Sequence, residues 1–214
     1  MISFEFIQMT TSLIASIPIL FAIFLILFTL SCRIYFSFRK HERQKGKKEK
    51  IIGFYHPHCC DGGGGERVLW KSLEALAPMI VNHRIIIFSK YATPKEKLRQ
   101  HVQNRFDIYL PNDLNWEVLQ IKELSQQKPP LRFTMLMESW QTMVGAWYAM
   151  KRCTPDVFID TTGCAFTFFV VKCLAGCPKI AAYVHYPTIS TVSAIFSHLK
   201  MIEKVLKTFL LSMN

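Results

Sequence analysis

Four consecutive glycines, Gly62, Gly63, Gly64 and Gly65, followed by Glu66 and Arg67, are the residues of this 214-residue sequence best suited to chemistry. An apolar run, Lys50 to Pro57, precedes them; after them Val68, Leu69, Leu73, Leu76 and Ala77 recur at spacings of three and four. The first pattern predicts a buried strand and the second a helix. Glycines at such a turn let the backbone approach a ligand. The helix N-terminus adds free N–H groups and a positive dipole end. The combination suits a phosphate or diphosphate, with a merely flexible turn as the alternative. The glycine spacing is not the dinucleotide fingerprint, and Ser89-Lys90-Tyr91 stands where an acidic residue would end the second strand. The Lys-Ser/Thr of nucleoside-triphosphate loops is also missing.

Asp160 and His185 end two further predicted strands, Asp156 to Asp160 and Ile180 to His185. In open α/β sheets ligands bind outside the carboxyl ends of the strands, so both would share the crevice of the glycine loop. They are the candidate catalytic residues. The alternative is that Asp160 caps the following turn and His185 bonds to backbone. His56, His58, Cys59 and Cys60 crowd one loop, but no second ligand pair at zinc spacing follows. A polar strand end explains them better than a metal.

The elements that must hold these residues alternate between strand and helix. Arg84 to Ser89 reads as a second buried strand, Pro94 to Asn104 as a polar helix and Phe106 to Leu110 as a third, weaker strand. Residues 111–132 give no clear pattern. A long helix is expected over Thr134 to Arg152 and an apolar helix over Ala165 to Leu174. The order implies βαβ units and a parallel sheet covered on both faces, an α/β fold. Ile195, Leu199, Ile202, Leu206, Phe209 and Leu210 form an apolar stripe beside Lys200, Lys204 and Lys207, which fits either a membrane-surface helix or a packing helix.

Ahead of this body, no charged residue occurs between Phe6 and Cys32. That run is long enough to span a bilayer, and too long and wrongly flanked for a signal peptide. Arg33 to Lys50 then holds eight Lys/Arg against Glu42 and Glu49, which places the body in the cytosol by the positive-inside rule. This collar carries more than half of the formal net charge of +11, so the charge does not call for nucleic acid. Seven scattered cysteines fit the cytosolic side. The expected organisation is a transmembrane anchor over 1–32, a basic cytosolic linker over 33–50, one Rossmann-like domain over 51–190 and a divergent C-terminal segment over 191–214.

Several segments together resemble one family. The stretch Phe54 to Trp70, with Arg132-Phe133-Thr134-Met135-Leu136, Pro155 to Asp160, Gly163 to Thr167 and Tyr183 to Ser190, resembles the α-1,2-mannosyltransferases of dolichol-linked oligosaccharide assembly. The resemblance implies a retaining, metal-independent glycosyltransferase with two Rossmann-like domains and no cofactor. It implies mannosyl transfer from GDP-mannose to dolichol-pyrophosphate-linked Man3GlcNAc2 on the cytosolic face of the endoplasmic reticulum. Implied partners are that lipid-linked acceptor, the membrane and other mannosyltransferases of the pathway. By the same resemblance Gly62 to Gly65 lie near the diphosphate and acceptor, and His185 lies near the transferred sugar; Glu66 and Arg67 belong to the motif without assigned roles. Cys59-Cys60-Asp61 departs from the usual residues before the glycines. The resemblance runs to about residue 190, and no Glu-x7-Glu pair follows Asp160. The expectation is therefore a truncated form lacking the donor domain and inactive alone. The alternative is an inactive isoform that binds lipid-linked acceptor or the full-length enzyme.

Overall fold

A computed structural model describes residues 2–44, 49–80, 82–125 and 134–184. The body is one five-stranded, all-parallel sheet. Its strands are β1 (Lys50–Tyr55), β2 (His83–Ser89), β3 (Trp116–Gln120), β4 (Val157–Asp160) and β5 (Lys179–Ala182), in spatial order β3-β2-β1-β4-β5. The chain winds outward from β1 to β3, then crosses back to β4 on the other side of β1. That reversal creates a topological switch point between the carboxyl ends of β1 and β4, where Tyr55 pairs with Asp160.

Strand alternation builds a core on each face. Ile52, Phe54, Ile85, Ile87, Val157 and Ile159 meet Leu69, Trp70 and Leu73 of helix α2 (Gly64–Leu76), with Leu98 and Val102 of helix α3 (Lys95–Phe106). On the opposite face Ile51, Tyr55, Ile86, Phe88 and Phe158 meet another set of helices. A short helix α4 (Lys122–Ser125) precedes helix α5 (Thr134–Arg152), which supplies Ala146, Ala149 and Met150 to that core. Helix α6 (Ala165–Phe168), continued as a π turn over Phe169–Leu174, supplies Val170 and Val171. Two covered faces explain why the strands read as continuous apolar runs.

The third strand lies elsewhere than the sequence predicted. Phe106 ends α3, and Asp107 adopts a left-handed φ of 54° while its N–H bonds to Gln103 O. Ile108 and Leu110 are buried as loop residues in the core beside α2, so their apolar character reflects packing and not pairing. The strand is Trp116–Gln120, whose Trp116 pairs with Ile85.

The N-terminal segment forms one helix, α1 (Ile2–Gln44). Its Ser16–Arg43 portion is long and apolar enough to cross a membrane, the most apolar 18 residues having a mean hydropathy of 2.4. Ile17, Leu20, Phe21, Phe24 and Leu27 are all exposed, as lipid-facing side chains would be. A helix of 43 residues is roughly 65 Å long, about twice a bilayer core, so a large part of α1 must extend beyond it. Residues 33–44 thus continue the helix, and their basic side chains grip the body. Phe36 is fully buried edge-on against Trp147 at 5.0 Å. Lys40 Nζ lies 2.5 Å from Asp156 Oδ1, while Arg39 and Arg43 donate to Lys151 O at 3.3 and 3.0 Å. Asp156 also accepts the Ile51 N–H at 2.9 Å, tying the helix to the start of β1.

Candidate functional site at the switch point

The glycine loop follows β1 at the carboxyl edge of the sheet. Gly62 has a φ of +80°, a conformation that side chains with a Cβ disfavour. Gly63 is the extended N-cap of α2, and nothing lies within 4 Å of where its Cβ would be. This open approach is what a loop meant for a ligand requires. The first amides of α2 have no partner within their own helix, as at any helix start.

Glu66 and Arg67 point in opposite senses. Arg67 is exposed, whereas Glu66 is 2% exposed. The Glu66 carboxylate accepts the Gly62 N–H through Oε2, and the Trp70 indole N–H through Oε1 at 3.3 Å. His101 Nε2 stands 3.5 Å from the same Oε1. Four residues further along α3, Arg105 rests beside Gly62: a Cβ there would lie 3.4 Å from its Nε. Sequence reasoning missed both α3 residues. The signal was their i,i+4 spacing, but nothing local tells that α3 runs beside the start of α2.

The second wall of the crevice begins at Asp160. It is fully buried. Its Oδ1 accepts the Thr162 N–H and hydroxyl, both at 2.7 Å, and its Oδ2 accepts the Thr167 hydroxyl at 3.0 Å. These bonds fix the turn from β4 into α6, where Gly163 takes a φ of +76°. The geometry favours the capping alternative for this carboxylate. His185, the other candidate catalytic residue, lies outside the described residues.

His56 joins the two walls. It is 5% exposed, its Cε1 would lie 3.7 Å from a Cβ on Gly65, and its Nδ1 is 2.7 Å from Thr161 Oγ1. The Thr161 hydroxyl donates to Tyr55 O at 3.1 Å. The assignment that satisfies both bonds puts the imidazole proton on Nδ1 and leaves Nε2 an acceptor. Burial pushes the His56 pKa down to about 4, with a contribution from His58 that Asp61 opposes, so the ring is neutral at pH 7. Before the glycines, Cys59 is buried with its Sγ 3.1 Å from Ser89 Oγ, and Cys60 contacts Thr93 Oγ1 at 3.3 Å. A hydrogen bond from Cys59 pushes the Cys60 thiol below its ordinary pKa. Among the described residues, no three His, Cys, Asp or Glu side chains converge as metal ligands.

A family model described as the ALG11 mannosyltransferase N-terminus matches residues 49–209. The chain belongs to this family. The match spans the sheet, the glycine loop and the β4 turn, and it continues to residue 209, beyond the motifs that end near Ser190. Three curated relatives carry the name GDP-Man:Man(3)GlcNAc(2)-PP-Dol alpha-1,2-mannosyltransferase. The Xenopus laevis protein is 39% identical over 149 residues, covering 68% of this chain and 30% of its own. The Xenopus tropicalis protein is 35% identical over 186 residues, covering 83% and 37%. The human protein is 36% identical over 149 residues, covering 69% and 30%. The chain thus spans about a third of the length of these relatives.

Proposed function

We propose that this chain is the membrane-anchored, acceptor-side part of an α-1,2-mannosyltransferase. In this reading the enzyme moves mannose from GDP-mannose to dolichol-pyrophosphate-linked Man3GlcNAc2 at the cytosolic face of the endoplasmic reticulum. One observation carries the reading: the family's glycine motif forms an open loop at the switch point of a parallel sheet, in a domain packed against a membrane-length helix. A dolichol-linked substrate lies in a bilayer with its pyrophosphate and sugars at the surface. An enzyme held there by α1 meets it in two dimensions.

The chemistry at the loop suits that substrate. Arg67 and Arg105 flank the glycines, and the first amides of α2 are available to an anion. These groups stabilise pyrophosphate charge without a metal. His56 Nε2, neutral and accepting, suits a sugar hydroxyl, and His185 serves the transferred sugar. Basic residues of the collar that do not grip the body meet anionic headgroups.

The test is binding of Man3GlcNAc2-PP-dolichol to the full chain in lipid nanodiscs. The native chain is expected to bind, and Gly63→Val or Gly64→Val to weaken binding on the order of tenfold or more, because a branched side chain fills the open approach. A chain that ignores the lipid-linked sugar but binds unrelated nucleotides tightly would overturn the reading.

A further inference from the structure

Glu66 is a carboxylate where the proposed ligand is an anion, so its place needs a reason. It does not face the crevice: it is 2% exposed and turned beneath the loop it follows. Its Oε2 takes the Gly62 N–H, four residues back, at the one glycine of the run with a positive φ. Its Oε1 is held from behind by Trp70 at 3.3 Å, and Trp70 is itself fully buried against Trp116. The only basic side chain within 4 Å among the described residues is the imidazole of His101, at 3.5 Å. Thus the carboxylate is clamped to the core on one side and to the loop on the other.

We propose that Glu66 is the positioning residue of the glycine loop: by accepting the Gly62 N–H it holds the left-handed turn that turns the Gly63–Gly65 backbone toward the lipid-linked pyrophosphate. This rests on the function proposed above. Glu66 itself touches no substrate. Its hydrogen-bonding reach is what matters, and its charge is a cost that the positive end of the α2 dipole offsets in part. Two isolated substitutions therefore have opposite consequences. Glu66→Asp keeps the charge and loses the reach. Glu66→Gln loses the charge and keeps a carbonyl oxygen that can accept from Gly62, while its amide NH2 turns toward the Trp70 N–H and the longer contact is lost.

The experiment compares native, Glu66→Asp and Glu66→Gln chains in nanodiscs by two measurements. One is amide hydrogen exchange of the peptide containing Gly62; the other is binding of Man3GlcNAc2-PP-dolichol. Glu66→Asp is expected to expose the Gly62 amide and to weaken binding on the order of tenfold. Glu66→Gln is expected to keep the amide protected and to bind as tightly as the native chain or more so, since a negative charge near the anion is gone. Loss in Glu66→Gln with retention in Glu66→Asp would show that the charge acts and not the reach, equal loss in both that an acceptor of the right reach is not enough, and equal retention that the bond does not matter; each overturns the proposal. A native chain that binds no lipid-linked sugar overturns the function instead, while the exchange data still decide whether Glu66 holds the loop.

Discussion

His56 gives the sharpest physical prediction because its environment is closed and its sign is fixed. In the unfolded chain the imidazole takes a proton near its ordinary pKa of 6.5; in the folded chain burial delays this to about 4. Below pH 6.5 the unfolded state therefore holds more protons, and stability falls with pH until the folded state is protonated as well. Each unit of difference is worth about 1.4 kcal/mol, so the fold loses about 3 kcal/mol between pH 6.5 and about 4 from this ring alone. His83, also shifted downward by burial, adds a loss of the same sign. Urea unfolding of the full chain in detergent micelles, read by tryptophan fluorescence, measures the total. His56→Gln can still donate to Thr161 but cannot titrate, and it leaves His83 in place as an internal control. The difference between the native and His56→Gln curves is expected to shrink by about 3 kcal/mol across that window. Parallel curves would refute the reasoning, because they would mean that His56 titrates alike in both states.

Three further outcomes follow from packing and thiol chemistry. Gly145→Ala places a Cβ within 2.5 Å of Tyr55 Oη and closer still to Leu124, so it is expected to cost about 1–3 kcal/mol and lower the Tm. Phe36→Ala removes a fully buried ring from the contact between α1 and α5; it is expected to cost about 3–5 kcal/mol in the same urea assay and to speed protease cleavage between α1 and β1. Cys60 is half-buried with a lowered pKa, while burial raises the Cys153 and Cys177 thiols, so iodoacetamide is expected to label Cys60 before those two at neutral pH, as peptide mapping would show.

The sequence made the scaffold legible wherever burial was two-sided. Apolar runs located β1, β2 and β4 within a residue or two, and the 3.6 period located α2 and α5. It failed at β3, because the edge strand Trp116–Gln120 is only partly buried after Trp116 and carries Glu117 and Gln120 without a period-2 pattern, while the loop around Ile108 and Leu110 is apolar for a different reason. At the site, the glycines and Asp160 could be read from the chain because turn chemistry is local. His101 and Arg105 could not, since their role comes from where α3 lies. The inward turn of Glu66 was hidden likewise: a Glu in the first turn of a helix ordinarily faces water and the dipole, and only the packed Trp70 behind it brings it inside.

The two walls of the crevice are built alike, and this bears on how Asp160 acts. Each loop is pinned from within by a buried carboxylate: Glu66 holds the turn after β1 through Gly62, and Asp160 holds the turn after β4 through Thr162 and Thr167. Tyr55 and Asp160 are register partners on adjacent strands, and His56 spans the gap from Gly65 to Thr161. A carboxylate with no exposed surface and three donors on its oxygens has no open path to a substrate proton. To act as a base it would have to surrender bonds that shape the turn holding Gly163. The economical reading is that both carboxylates work through backbone, keeping two ligand-facing loops at a fixed separation on a rigid sheet, while direct contact falls to amides, arginines and neutral imidazole. Such an arrangement places these two carboxylates beneath the crevice floor, where they order the loops, and leaves Arg67, Arg105 and the neutral His56 for the anionic substrate proposed above.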